Sequence, residues 1–165
     1  MSLPFLKEFK KSINKNETIS EGLMKPTQWL STGNYALNRA LSGSFTRGIP
    51  LGKLVLYCGP SNSGKSFIAS NAMVQAQKEG YHIVVLDSEN ALDVEYLKKI
   101  GVKTSEDSFT YIQVTTIEDV NTVCSEFFSS YKKAYGKDNE ESPKVLFVLD
   151  SLAMLASKTE IENYD

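Results

Sequence analysis

The sequence is poor in the side chains that carry most nucleophilic and metal chemistry. Its 165 residues include two cysteines, Cys58 and Cys124, and one histidine, His82. With so few partners, neither a Ser-His-Asp nor a Cys-His arrangement is expected, and no metal-ligand spacing exists. Both cysteines read as small core residues of a chain kept in a reducing, cytoplasmic setting. Arginine is almost as scarce, with Arg39 and Arg47 the only two. No apolar run approaches the roughly 20 residues of a membrane span, and the N-terminus has no signal-peptide pattern. No membrane association is therefore expected. The net charge is −2, so global electrostatics gives no reason to bind nucleic acid or anionic lipid. Internal repeats and low-complexity tracts are also missing. The length suits one α/β domain with a real core.

What is present centres on Gly59-Pro60-Ser61-Asn62-Ser63-Gly64-Lys65-Ser66. This octet has the G-x-x-x-x-G-K-[ST] pattern of a phosphate-binding loop. The apolar run Leu54–Cys58 precedes it and reads as a strand. Residues 67–78 follow as a helix, with Phe67, Ile68, Met73, Val74 and Ala76 as its apolar positions and Gly80 as its stop. In that setting the glycines let the chain wrap with its N–H groups inward, towards the positive end of the helix. Lys65 brings a point charge to the β/γ-phosphates, and the Ser66 hydroxyl is placed to ligate Mg²⁺.

Ahead of the octet, residues 3–15 predict a short amphipathic helix, with Leu6, Phe9 and Ile13 on one face and Phe5 beside it. That face could pack on its own core or on a neighbouring subunit. Residues 14–32 read as a linker, and Tyr35–Leu41 as a short helix. After the octet, Ile83–Asp87 has the continuous apolar run of a doubly buried strand. A helix is expected over 91–100, a strand over 109–114, and a long helix from Ile117 to Tyr135. The long helix opens on a capping box and has Ile117, Val120, Val123, Cys124, Phe127, Phe128, Tyr131 and Tyr135 on its apolar face. His82 opens a strand and suits a strand-end role.

Val145–Asp150 is the second signature. An apolar strand ending in an acid, in the same chain as a phosphate-binding loop, is the Walker B form, whose Asp150 holds Mg²⁺ directly or through water and Ser66. Strands alternating with helices imply a parallel sheet with ligand at the strands' carboxyl ends. Gly59, Asp87, Glu89 and Asp150 should converge there.

Arg47–Lys78, the run Leu86-Asp87-Ser88-Glu89-Asn90-Ala91-Leu92-Asp93-Val94-Glu95-Tyr96, Ile100-Gly101-Val102, Leu149–Ala153 and Lys158–Glu162 resemble the core of RecA-type recombinases. Ser151-Leu152 with Leu155-Ala156-Ser157-Lys158 is most similar to the phage branch typified by UvsX. The resemblance covers about residues 30–165. It implies a RecA-like P-loop NTPase core, residues 31–165, preceded by an oligomerisation helix and linker, residues 1–30. It implies ATP and Mg²⁺ as ligands, and Glu89 as the general base that activates the attacking water. Asp93 and Tyr96 would hold and stack the adenine, and Ser151 would stand behind the metal acid. It further implies filament formation on single-stranded DNA through the N-terminal helix, followed by homologous pairing and strand exchange. Localisation would be the cytoplasm, that of the host cell if the protein is phage-encoded.

The chain stops at Asp165, where the resemblance would place the first DNA-binding loop. The second DNA loop, the residues that complete the site from a neighbouring subunit and the strand with the γ-phosphate sensor would all lie further on. That strand would run between the P-loop and Walker B strands. The expectation is therefore a core truncated after the Walker B strand. It should be inactive alone in DNA-stimulated hydrolysis, with open strand edges that promote self-association. The alternative is a non-catalytic nucleotide-binding module that assembles with recombinase subunits. A P-loop kinase is disfavoured because both arginines precede the loop, leaving no arginine-rich lid. Dinucleotide binding is disfavoured because no G-x-G-x-x-G follows a strand.

Overall fold

His82–Asp87 (β3) is the centre of the sheet, and its alternating side chains feed two separate cores. In the computed structural model, which describes residues 3–13, 26–136 and 142–163, every residue of this strand after His82 is buried. Ile83 and Val85 pack on one face with Leu30, Met73, Ala76 and Leu97. Val84 and Leu86 pack on the other with Val114 and the half-buried Val120, Val123, Cys124 and Phe147. A strand rich in β-branched residues and apolar on both faces is stable only when helices cover both sides.

Those helices are Lys65–Lys78 (α3) and Val94–Ile100 (α4) on the first face, and Ile117–Tyr135 (α5) on the second. Phe109–Gln113 (β4) and Val145–Asp150 (β5) flank β3, both parallel to it, in the order β4-β3-β5. The parallel α/β architecture expected from the alternation of elements is thus present. Register aligns Gln113, Asp87 and Asp150 across the three carboxyl ends. In front of this sheet, Pro4–Ile13 (α1), Trp29–Leu30 (β1), Tyr35–Ser42 (α2) and Ile49–Pro50 (β2) follow in order, with β1 and β2 forming a small antiparallel ribbon. Leu152–Met154 is a 3₁₀ turn and Lys158–Glu162 (α6) closes the described chain.

Four readings are corrected. Leu54–Cys58 is not a strand: it joins no ladder, Leu54 is 98% exposed, and Cys58 is exposed rather than in the core. Strand pairing needs a neighbour, and the free edge of β5 has none among the described residues. Of the two open edges that the sequence led us to expect, that of β5 is present among the described residues, and that of a strand before the glycine loop is not, because no such strand forms. Trp29 and Leu30 form β1 rather than the end of a linker, and Leu30 is buried because β2 pairs with it. The helix expected from residue 91 begins at Val94, because Asp87 takes the N–H groups of Glu89, Asn90 and Leu92. Finally, α5 buries no residue fully; Ile117 and Phe128 stay exposed, while Val120, Val123 and Cys124 meet the sheet. Residues 14–25 and 137–141, read as linker and charged loop, lie outside the described residues.

Candidate nucleotide site

The glycine loop is anchored from behind, by the helix it opens. In α3, Ser70, Ala72, Met73 and Ala76 are buried against the sheet. Gly64 is its N-cap at φ +89°, a left-handed conformation that a side chain would strain. Asn62 is left-handed too, at φ +61°, as asparagine tolerates. At Gly59 an added Cβ would lie 2.7 Å from the Ser63 hydroxyl, so a side chain there would force Ser63 to shift. Pro60 accepts the Ser63 N–H at 3.3 Å, and Ser61 lies exposed at the turn. Lys65 folds back over this turn, its Nζ donating to the carbonyls of Gly59 and Pro60 at 3.0 Å each.

Beside the loop, Ser66 Oγ donates to Asp150 Oδ2 at 2.6 Å. One hydroxyl and one carboxylate oxygen from elements 84 residues apart therefore meet at a single point. The adjoining residue extends the chain of contacts: Ser151 Oγ donates to Glu89 Oε1 at 2.7 Å. Ser88 stitches the two strand ends behind these groups. Its N–H donates to the Asp150 carbonyl at 3.0 Å, its hydroxyl to the Ser151 carbonyl at 2.6 Å, and it receives the Ser151 N–H at 2.9 Å. The peptide between Asp150 and Ser151 is cis. Lys65, Ser66, Asp150, Ser151 and Glu89 are thus brought together at the carboxyl end of the sheet.

Asp93 and Tyr96 are placed differently. Asp93 caps α4, its Oδ1 accepting the N–H groups of Glu95 at 2.8 Å and Tyr96 at 3.2 Å. Tyr96 is 43% exposed on the first turn of that helix. Among the described residues, no hydrogen bond joins either to the glycine loop.

Two further groups build the site in a way the sequence did not spell out. Asp87 is 2% exposed. Burial pushes its carboxyl pKa up, but the Tyr111 hydroxyl and the N–H groups of Leu92, Glu89 and Asn90 outweigh that and hold it below the ordinary value. Tyr111 is raised by burial and by its bond to Asp87. Only the position of Asp87 at a strand end hinted at a role, and nothing in the sequence singled out Tyr111. His82 is a strand-end residue, its ring nitrogens bonded to the Asp107 carbonyl at 3.2 Å and Thr110 Oγ1 at 2.8 Å.

The donor set can hold a hydrated divalent cation. Ser66 and Asp150 already converge, and Mg²⁺ characteristically takes one or two protein ligands and completes its shell with water and phosphate oxygens. No cluster of three or more His, Cys, Asp or Glu side chains that could form a protein-only cage occurs among the described residues.

Comparison with known proteins gives one consistent result. The family described as "RecA N-terminal domain" matches residues 5–164. "Protein RecA" of Corynebacterium efficiens is 36% identical over 137 residues, 83% of this chain and 31% of that protein. "Protein RecA" of Mycobacteroides abscessus is 33% identical over 159 residues, 95% of this chain and 41% of that protein. The "Protein RecA" of Wolbachia pipientis subsp. Culex pipiens is 35% identical over 133 residues, 81% and 33% of the two chains. The chain spans about a third to two-fifths of the length of these curated relatives.

Proposed function

The chain belongs to the RecA N-terminal domain family, and from that premise we propose that it is the ATP-binding core of a DNA recombination and repair protein. The observation that carries the reading is the convergence of Ser66 on Asp150 at 2.6 Å, with Glu89 beside them through Ser151 at 2.7 Å. The N–H groups of the glycine loop and the positive end of α3 bind the phosphates. Lys65 exchanges its two carbonyl partners for phosphate oxygens. Ser66 and Asp150 hold Mg²⁺, which neutralises the charge that builds up on the phosphates. Glu89 accepts a proton from the attacking water, and Ser151 holds its carboxylate in reach. Asp93 and Tyr96, at the start of α4, contact the adenine.

In the whole protein this site drives filament formation on single-stranded DNA, homologous pairing and strand exchange, and the phage UvsX-type branch is the specific affiliation we favour. DNA contacts come from loops outside this chain. Filament growth uses α1 and the linker of residues 1–30, against an ATPase core of residues 31–165. It is supported by an α1 that buries no residue and keeps Phe5 at 63% and Phe9 at 55% exposure. Such a protein works in the cytoplasm, the host's if it is phage-encoded.

The test is titration of a fluorescent ATP analogue with Mg²⁺ into the chain, Lys65→Ala and Glu89→Gln. The expected result is saturable binding that Lys65→Ala abolishes and Glu89→Gln retains. Turnover measured on the whole protein should then fall in Glu89→Gln although its binding is retained. Binding indifferent to Lys65→Ala would refute the nucleotide site, and full turnover in Glu89→Gln would refute the base.

A further inference from the structure

The Asp87 carboxylate accepts four hydrogen bonds, three of them from the segment that carries Glu89. Its Oδ1 accepts the N–H groups of Glu89 and Asn90, both at 2.9 Å. Its Oδ2 accepts the Leu92 N–H at 3.1 Å and the Tyr111 hydroxyl at 2.9 Å. A carboxylate accepting three amides of one turn, those of Glu89, Asn90 and Leu92, acts as a template on which the backbone folds. The curl it imposes carries Asn90 into the left-handed region, at φ +52°.

The neighbouring strand closes the arrangement. Tyr111 and Gln113 are two residues apart on β4 and share one face of it. Tyr111 also reaches Asn90 Oδ1 at 3.4 Å, and Gln113 Nε2 donates to the same oxygen. Two side chains of β4 thus reach over the end of β3 and grip the loop at the carboxylate beneath it and the asparagine at its bend. On its far side the loop presents Glu89 to Ser151. None of these side-chain contacts reaches the glycine loop or the side-chain bond between Ser66 and Asp150, although Ser88 ties the start of the same loop to the backbone of Asp150 and Ser151.

We propose that Tyr111 is a positioning residue: acting through Asp87 and Asn90, it fixes the residue 88–92 loop so that the Glu89 carboxylate is held towards the mouth of the nucleotide site. The inference rests on the reading of Glu89 as the base that activates water. It separates two tasks within one site, binding by the glycine loop and hydrolysis by a loop that β4 controls.

The test substitutes Tyr111→Phe, which removes one oxygen from a residue already 37% exposed and leaves the ring packing in place. Amide hydrogen exchange, MgATP affinity and turnover are followed together. A hydrogen bond to an ionised acceptor is worth enough to speed exchange at Glu89, Asn90 and Leu92 about tenfold. Exchange in β3 and α3 should not change. The Kd for MgATP should stay within about twofold, while turnover at saturating ATP in the whole protein falls several-fold. Gln113→Met, which cuts the Asn90 arm and a side-chain bond to Tyr111 but leaves the bond from Tyr111 to Asp87, should give a smaller effect of the same kind.

Loop amides that exchange at the wild-type rate overturn the proposal, whatever happens to turnover. So does an acceleration spread evenly over β3 and α3, or a loss of affinity that accounts for the loss of turnover. A wild-type protein that binds MgATP without hydrolysing it refutes the role of Glu89 instead. The exchange rates then decide the positioning by Tyr111 on their own.

Discussion

Asn38 should be among the most costly polar side chains in this protein to remove. It is 0% exposed on α2. Its Oδ1 accepts the Thr32 N–H at 2.9 Å and the Thr32 hydroxyl at 2.7 Å. Its Nδ2 donates to Ser31 Oγ at 2.9 Å and to the Phe45 carbonyl at 2.8 Å. One amide thereby ties together the residues before α2, the helix itself and the turn after it. Substitution by Ala does not affect the partners equally. The Thr32 hydroxyl keeps Asn34 O as an acceptor at 3.2 Å, and Ser31 and Phe45 lie nearer water. The Thr32 N–H, in a residue 1% exposed, has no replacement. Stranding such a donor costs about 1–3 kcal/mol, and each re-solvated bond adds about 0.5–1.5 kcal/mol. The expected loss is about 3 kcal/mol for Asn38→Ala, read from chemical denaturation at constant m-value. Asn34→Ala on the same helix is the control. Asn34 is an exposed N-cap whose Oδ1 accepts the Leu37 N–H at 2.9 Å, worth about 1 kcal/mol. If Asn38→Ala costs no more than Asn34→Ala, the buried amide does not hold residues 31–48 together and the reasoning fails.

Gly48→Ala should destabilise through the same knot, because its Cβ would stand 2.3 Å from Asn38 Oδ1 and 2.6 Å from Thr32 Cγ2; a thermal midpoint within a degree of wild type would contradict this. Leu54→Lys should change stability by less than about 0.5 kcal/mol, since the side chain is 98% exposed; a core-sized loss in denaturation would show that residues 54–58 form a buried strand in solution. The capping box of α5 should be acid-sensitive. Hydrogen bonds from the Thr116 hydroxyl and N–H hold the Asp119 carboxyl at about 2, below its ordinary 3.8. A lowered folded-state value means the contribution is complete above 3.8 and lost as pH falls towards 2. Amide shifts at Thr116 and Asp119 should titrate in that window, and Asp119→Ala should abolish the transition at Thr116.

The sheet was legible because β3 and β5 are unbroken apolar runs, buried in β3 and half-buried in β5, and α5 was legible from its heptad-like spacing and its Thr116–Asp119 cap. The same rule misread Leu54–Cys58, since an apolar run shows that a segment can pair but says nothing of whether a neighbour is there to pair with it. The glycine octet and Asp150 were legible as chemistry. Their contact through Ser66 was expected from the motif, while the link from Ser151 to Glu89 had to be seen. Asp87 was placed at the site by its strand-end position, but its bonding role and that of Asn38 escaped for a common reason. Each looks like an ordinary strand-end acid or helix polar residue, and its importance lies in partners supplied by backbone N–H groups that no residue letter records. Ser157 and Glu160, by contrast, spelled out the capping box of α6 and could have been read from their spacing.

The two halves of the candidate site rest on unequal foundations. Glu89, Asp150 and Ser151 stand at the ends of paired strands, cross-stitched by Ser88 and gripped through Asp87 from β4. The glycine loop has no paired strand in front of it and is held by α3 behind and by the bond from Ser66 to Asp150. If the proposed function holds, Ser66 and Asp150 would hold Mg²⁺ with its nucleotide and so add a constraint to a loop that no strand pairing supports. Part of the binding free energy would go into ordering the loop, as in any coupled ordering and binding. The affinity of this chain for nucleotide should then be governed less by the chemistry of the octet, which is complete, than by how freely residues 54–63 move before the ligand arrives.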